Sequence, residues 1–130
     1  MYTDNEQNAV NEIKKILDNY EKFQGKVGYL IEDRDRKILF CNQQFCNIFN
    51  IDVSPDSLIG GDCTGSADQV KHMFVNPTKF VEDINIILTT KNKKTTSLLE
   101  MVDGTKYRRD YVPMFFDNNY IGHSWQYYRL

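Results

Sequence analysis

The chain has 130 residues, with 16 basic and 18 acidic side chains and a formal net charge of −2. This near balance leaves no basic footprint for nucleic acid or for an anionic membrane surface, so neither partner is expected. No stretch approaches the roughly 20 apolar residues of a membrane span, no signal peptide is present, and three cysteines favour a reducing compartment. We therefore expect one cytoplasmic domain without direct membrane contact.

A helix is predicted near the start of the chain, over residues 8–23. Its apolar side chains recur at the alternating three- and four-residue spacing of a coiled-coil seam. The seam residues are Val10, Ile13, Leu17 and Tyr20. We expect this helix to supply a homodimer contact, and packing of the same face on its own domain remains the alternative. Gly25 ends the helix, so the chain divides into a flanking helix over residues 1–25 and a folded domain over residues 26–130.

A strand, a polar turn and a second strand are predicted next, with the strands over residues 27–32 and 37–41. Asn42 then opens a helix as its N-cap, because an Asn side chain accepts a hydrogen bond from the free N–H groups of the first turn. Ser54-Pro55-Asp56 predicts a further short helix. Residues 62–74 fit either a loop or one or two helical turns.

A long helix and three strands are predicted for the second half. Asn76-Pro77 starts a helix that runs to Thr90, since proline is favoured in the first helical turn. The strands cover residues 97–102, 106–116 and 120–128. Asp103-Gly104 joins the first two and predicts a type I′ turn, which needs positive φ at both central residues. Two strands, several helices and three strands predict an α+β domain with a five-stranded antiparallel sheet.

Several short motifs, in this order, resemble those of PAS domains. An acidic turn precedes an apolar strand and an Asn that starts a helix, and Leu-Ile-Gly ends a later helix. The matching segments are residues 28–42, 44–49 and 58–60, then Asp103-Gly104, residues 109–113 and Tyr120-Ile121-Gly122. The resemblance covers essentially the whole chain. It implies a sheet in the order 2-1-5-4-3, with helices that close a pocket over one face.

The resemblance also implies a function. PAS domains are sensory and regulatory modules, and we expect this one to belong to a bacterial-type signalling protein, most often a histidine kinase. It would act as a homodimer and relay a signal to an output domain of the same chain beyond residue 130, where the last strand stops without a closing helix. The sequence contains no catalytic motif, so no activity of its own is expected. Glu100 and Asp110 are expected to form surface pairs with Arg108 or Arg109. A small-molecule-binding sensor is the first alternative, and a small cofactor-free enzyme is the second.

Cys63 is the residue that suggests covalent chemistry. Gly60-Gly61-Asp62-Cys63 lies where light-sensing members of the family carry Gly-Arg-Asn-Cys, whose thiol adds to a flavin. The amide side chains that would pair with the flavin edge are missing, because Tyr107, Arg108 and Arg109 stand at the corresponding strand positions. A flavin is therefore not expected.

Haem and metal sites are not expected either. In the family, an axial histidine would lie on the helix before the third strand, which corresponds to residues 77–90 and contains no His. His72 is expected near a helix end, and His123 is expected as a hydrogen-bonded strand residue. The cysteines lack the Cys-x-x-Cys spacing of zinc or iron–sulfur sites, and Cys41 and Cys46 are expected to pack as small apolar residues.

Aromatic and methionine side chains are numerous enough either to line a pocket or to fill it. The candidates for pocket or ligand contact are Phe40, Phe45, Phe49, Phe74, Phe80, Met101, Tyr111, Met114 and Trp125. Because proteins close-pack when nothing prevents it, we expect a filled core, with a small apolar or aromatic ligand as the alternative. Alternation along the strand places Tyr111 and Met114 on opposite faces of the sheet, and which face is inside stays open.

Overall fold

A five-stranded antiparallel sheet forms the centre of the fold, in a computed structural model that describes residues 3–4, 6–11, 13–15 and 26–130. The strands are β1 (Val27–Asp33), β2 (Ile38–Cys41), β3 (Thr95–Glu100), β4 (Lys106–Phe116) and β5 (Asn119–Arg129). They lie in the order β2-β1-β5-β4-β3, which confirms the expected topology. Because β1 pairs with β5, the first and last strands of the domain meet at the centre of the sheet.

The helices of the domain lie between β2 and β3 in the sequence. They are α1 (Gln43–Ile48), α2 (Ser66–Val70) and α3 (Pro77–Thr90), with 3-10 turns at Pro55–Leu58 and Lys71–Met73. Asn42 and Asn76 cap α1 and α3, each through a side-chain oxygen that accepts the backbone N–H three residues later. The ambiguous segment before α3 thus forms one short helix and one 3-10 turn. In the part of the chain that is described, no helix is long and apolar enough to cross a membrane.

The two hairpins of the second half use different turns. Between β3 and β4 only Gly104 has a positive φ, of 90°, so the type I′ turn predicted at Asp103-Gly104 is wrong. Asp103 accepts a hydrogen bond from the Thr105 N–H instead, and Gly104 supplies the one left-handed residue of the loop. Asp117 and Asn118 both have positive φ, so the type I′ geometry lies between β4 and β5.

The inner face of the sheet is the one that the helices cover, and it carries the main core. On β4, Tyr107 and Tyr111 point to this face, and Trp125 on β5 lies opposite Tyr111. Cys41 and Cys46 are buried in the same core, at the junction of β2 and α1. This settles which face of β4 is inside, because Tyr111 belongs to the inner core and Met114 does not.

The outer face carries a second, smaller apolar cluster. It is formed by Val10, Ile31, Met114 and Ile121, and Phe40 is one of the half-buried residues that pack against it. Ile31, Met114 and Ile121 belong to β1, β4 and β5, so the cluster spans the three middle strands of the sheet.

Val10 comes from a helical segment at the start of the chain, described at residues 4, 6–11 and 13–15. Its side chain is 1% exposed, and half-buried Ile13 packs against the same outer cluster. This is the packing on its own domain that the sequence left as the alternative to a dimer contact. Leu17 and Tyr20, the other two residues of the predicted seam, lie outside the described residues.

Gly122 allows β1 and β5 to approach closely. A Cβ atom at this position would meet the backbone carbonyl oxygen of Glu32 and lie 3.0 Å from the Cα of Asp33. Paired backbones cannot move apart without loss of their ladder hydrogen bonds, so this position accepts only glycine without distortion.

Gly122→Ala is expected to destabilise the domain by about 2 kcal/mol, within the usual range for overpacking against a rigid neighbour. Gly65→Ala is the matched control, because a Cβ atom at Gly65 has no neighbour within 4 Å. Urea unfolding followed by the fluorescence of the single tryptophan, Trp125, measures both variants. Equal unfolding midpoints for the two variants would contradict the close approach of the strands.

Candidate functional site

A cavity of about 610 Å³ lies between the inner face of the sheet and the helices. Its apolar and aromatic lining residues are Leu30, Ile38, Phe45, Phe49, Ile51, Leu58, Ile59, Ala67, Val70, Phe80, Ile84, Trp125 and Tyr127. The expected filled core is therefore wrong. The segment between α1 and α3 consists of short helices and turns, and its few apolar side chains do not fill the space above the sheet.

The mouth of the cavity lies between the first 3-10 turn and α2. Ser57, Ile59, Asp62 and Gln69 line the cavity and are also exposed to solvent. Leu30 and Trp125, at the opposite end, are buried on the sheet. The site is therefore a deep pocket with an apolar floor and a partly polar rim.

The predicted pocket residues divide into three groups. Phe45, Phe49, Phe80 and Trp125 line the cavity. Phe74, Met101 and Tyr111 belong to the inner core but lie outside the lining, and the Phe74 ring stacks on that of Phe80 at 4.0 Å between centroids. Phe40 and Met114 are corrections, because both pack in the outer cluster, on the opposite side of the sheet from the cavity.

Glu32 is the polar residue at the floor of the cavity, and its side chain is fully buried. Its Oε1 lies 2.5 Å from Nε2 of His123 and accepts a hydrogen bond from Nε1 of Trp125 at 2.9 Å. Arg36 donates to both carboxylate oxygens, from Nε at 3.3 Å and from Nη2 at 3.4 Å. These four donors use the acceptor capacity of the carboxylate, so Glu32 is a structural anchor of the site.

The neighbours of Glu32 decide its charge. Burial on its own raises the pKa of this carboxyl, but the hydrogen bond and charge of His123, with the charge of Arg36, outweigh burial and hold the pKa at about 2. Glu32 is thus an anion in the folded protein at any physiological pH.

A chain of buried hydrogen bonds leads from Glu32 to the end of α3. Nδ1 of His123 lies 2.5 Å from the Tyr120 hydroxyl, Tyr120 hydrogen-bonds Tyr111, and Tyr111 donates to the carbonyl oxygen of Lys91 at 2.7 Å. Each hydroxyl has one hydrogen, and both the carboxylate and the carbonyl at the two ends are acceptors. His123 and the two tyrosines thus connect two acceptors, one on β1 and one at the end of α3.

Arg109 is a buried cation on the inner face, so of the two arginines expected to pair with Asp110 only Arg108 does so. Its side chain is fully buried, with the guanidinium carbon 5.6 Å from the Phe80 ring centroid and 5.3 Å from that of Trp125. Nη2 lies 3.4 Å from the Ser97 hydroxyl, whereas Nε and Nη1 have no hydrogen-bond partner among the described residues. Asp110 pairs with Arg108 on the other face, at 3.5 Å.

Cys63 lines the cavity beside Glu32 and is buried. Burial and the neighbouring carboxylate raise the pKa of its thiol, so at neutral pH the group is protonated and a weak nucleophile. Among the residues that the structure describes, no three His, Cys, Asp or Glu side chains gather as a metal site would require. The position of Cys63 is thus that of a wall residue.

Two polar residues of the inner face, Glu32 and Arg109, can be recognised from the sequence pattern. Glu32 interrupts an apolar strand and shares the face of Leu30 by alternation, and Arg109 shares the face of Tyr111. A charge on the buried face of a strand indicates either a partner or a ligand. Arg36 offered no such signal, because its contact with Glu32 depends on the fold of the turn at Asp33.

Glu32→Gln is expected to reduce the loss of unfolding free energy that occurs when the pH is lowered. The folded pKa of Glu32 is below its ordinary value, so its contribution is complete above about pH 5 and is lost as the pH falls toward 2. Urea unfolding from pH 7 to pH 2.5 should show that wild type loses up to about 3 kcal/mol more than the variant. Glu100→Gln, at an exposed position, is the control and should follow wild type. Parallel curves for wild type and Glu32→Gln would rule out the buried ion pair.

Solved structures share this fold at low sequence identity. No family model matches the chain, and no curated protein matches it either. The PAS domain of BvgS from Bordetella pertussis aligns with a TM-score of 0.62 at 13% identity, over 89% of this chain and 87% of that chain. A sensory box sensor histidine kinase from Vibrio cholerae aligns with a TM-score of 0.58 at 14% identity, over 95% and 96% of the two chains.

A channel domain shares the same architecture. The PAS domain of the fruit-fly ELK potassium channel aligns with a TM-score of 0.57 at 12% identity, over 91% of this chain and 96% of that chain. At sequence identities this low, the similarity shows the fold only, and the function has to be inferred from the residues of the site. With the strand order 2-1-5-4-3 and the helices on one face, the chain has the fold of a PAS domain.

Proposed function

We propose that this chain is a sensory PAS module of a signal-transduction protein, and that its input is a small organic molecule bound in the inner cavity. The observation that carries the proposal is the cavity itself, whose volume of about 610 Å³ is in the range of small-molecule sites. A domain of this size that served only as a structural spacer would be expected to close-pack this space.

The hydrogen-bond chain supports a sensory role for the cavity. A ligand would touch Glu32 and Trp125 at the floor, and from Glu32 the chain runs through His123 and the two tyrosines to the end of α3. Occupancy that displaces Glu32 would alter the hydrogen bonds at both β5 and α3. The module would thus be a two-state element whose equilibrium the ligand biases, without chemistry of its own.

The wider context is part of the same proposal. We infer a parent protein such as a sensor histidine kinase, a cytoplasmic position for the module, and an output domain in the same chain. The PAS fold supports this context because solved structures of that fold include a sensor histidine kinase. The N-terminal segment, with residues 1–25 as a flanking helix, would couple the sheet to a second protomer, since Val10 already contacts the outer face of β1, β4 and β5.

Native mass spectrometry of the freshly purified chain is expected to show an added mass that denaturation releases. Ala67→Trp should remove it, because Ala67 lines the cavity and an indole there would occupy the ligand space. Asp68→Trp is the matched control on the same helix, since Asp68 is exposed and outside the lining. A bare mass for wild type and both variants would contradict the small-molecule input.

Leu17→Glu is expected to convert a homodimer into a monomer if the predicted seam joins two protomers, because a carboxylate in an apolar seam is costly to bury. Light scattering of the whole chain measures the mass of the assembly. Asn8→Glu places the same charge at an exposed helical position and should stay dimeric. An unchanged dimer for Leu17→Glu would rule out this seam.

A further inference from the structure

The two carboxylates that line the cavity, Glu32 and Asp62, are both already paired. Glu32, the buried carboxylate in the lining, already receives hydrogen bonds from His123, Trp125 and Arg36. Asp62 lies at the exposed rim and pairs with Lys37 at 3.2 Å. A cationic ligand would therefore have to compete for a carboxylate that is already paired.

Arg36 lines the cavity with unused donors. A guanidinium carries five N–H groups, and the contacts of Arg36 with Glu32 involve Nε and Nη2, at 3.3 and 3.4 Å. The Arg36 side chain is only 18% exposed. It extends from the turn that follows β1 and lines the wall of the cavity. The remaining N–H groups suit an oxygen anion, which a guanidinium binds through two parallel hydrogen bonds.

Arg109 adds a positive charge directly behind the wall. The rings of Phe80 and Trp125 line the cavity and lie against its guanidinium, at 5.6 and 5.3 Å from the guanidinium carbon. Nε and Nη1 have no hydrogen-bond partner in the described residues, and none of the described ion pairs includes Arg109. Aromatic contacts offset only part of the cost of such a charge.

The buried charges of the inner face do not balance. Glu32 contributes one negative charge, whereas Arg36 and Arg109 contribute two positive charges. Water screens these charges poorly, because Glu32 and Arg109 are at most 1% exposed. The cavity is therefore bordered by more positive than negative charge, which an anion would neutralise.

We propose that the cavity binds a small organic anion, a carboxylate on an aromatic or branched apolar body, with the carboxylate on Arg36 and the body against Phe80 and Trp125. This inference rests on the proposed function and names the ligand class of the same cavity. The apolar floor accounts for the body, the free donors of Arg36 account for the carboxylate, and Arg109 stabilises the bound charge from behind the rings.

The experiment compares acids with their neutral amides, on the whole chain freed of any bound molecule by refolding. The probes are phenylacetate against phenylacetamide and indole-3-acetate against indole-3-acetamide, measured by isothermal titration calorimetry at pH 7. Each acid should bind at least about tenfold more tightly than its amide, as a charge-assisted hydrogen bond predicts. Equal affinities within each pair would overturn the anion proposal and leave the small-molecule input standing.

Variants separate the two arginines from general charge effects. Arg36→Gln should abolish the preference for the acid while the amide binds as before. Arg109→Met should reduce the preference and raise the urea midpoint of the empty protein, because it removes a buried charge without a counter-ion. Lys106→Gln removes the same charge from an exposed position outside the lining and should leave the preference intact.

Other results of these titrations would overturn parts of the proposal. A preference that survives in Arg36→Gln, or that Lys106→Gln removes equally, would overturn the assignment of the carboxylate to Arg36. Binding of neither acids nor amides to wild type would overturn the ligand class, and a bare native mass in addition would overturn the proposed function. If Arg109→Met does not fold, Arg36→Gln and Lys106→Gln still test the proposal.

Discussion

The inner face depends on one buried carboxylate, that of Glu32, and on the donors that converge on it. They come from the turn after β1, through Arg36, and from β5, through His123 and Trp125. An isolated carboxylate in this position would cost several kcal/mol, and removal of one partner from such a group is correspondingly expensive. The contacts therefore tie the first and last strands together on the inner face of the sheet, at the floor of the cavity. Gly122 makes the arrangement possible, because it lets the β5 backbone approach that of Glu32.

The cavity follows from the lengths of the helices. α3 has fourteen residues, whereas α1 and α2 have six and five and are separated by turns. Short helices bring few side chains to the core, so space stays open between them and the sheet. A close-packed protein would fill it, and a protein that leaves it open gives up contacts that a bound molecule would restore. The excess of positive charge, from Arg36 and Arg109 against Glu32, gives the same space a preference for anions.

The two faces of the sheet are linked by the strands that they share. β1, β4 and β5 carry Glu32, Tyr111 and His123 toward the cavity, and their outward residues form the cluster that holds Val10. A change in the hydrogen bonds of the inner face thus acts on strands whose other side contacts the N-terminal helical segment. This shared set of strands is sufficient for the proposed relay, because a shift of a central strand moves the residues on both of its faces together.

Local sequence patterns were sufficient to predict the strand and helix order and the Asn caps of α1 and α3, and the resemblance to PAS domains predicted the sheet order. These features are local, since they depend on periodicity, on capping residues and on turn residues a few positions apart. The sequence missed the turn at Asp103-Gly104, where a longer loop with one left-handed residue satisfies the same strand pairing. Tertiary structure alone decided that Phe40 and Met114 face away from the cavity, that Arg109 is buried, and that the core is not filled. Alternation along a strand shows which residues share a face, but it does not show which face is inside until helices cover one of them. The size of a cavity depends on side chains from distant segments, because they must fill the volume that the backbone encloses.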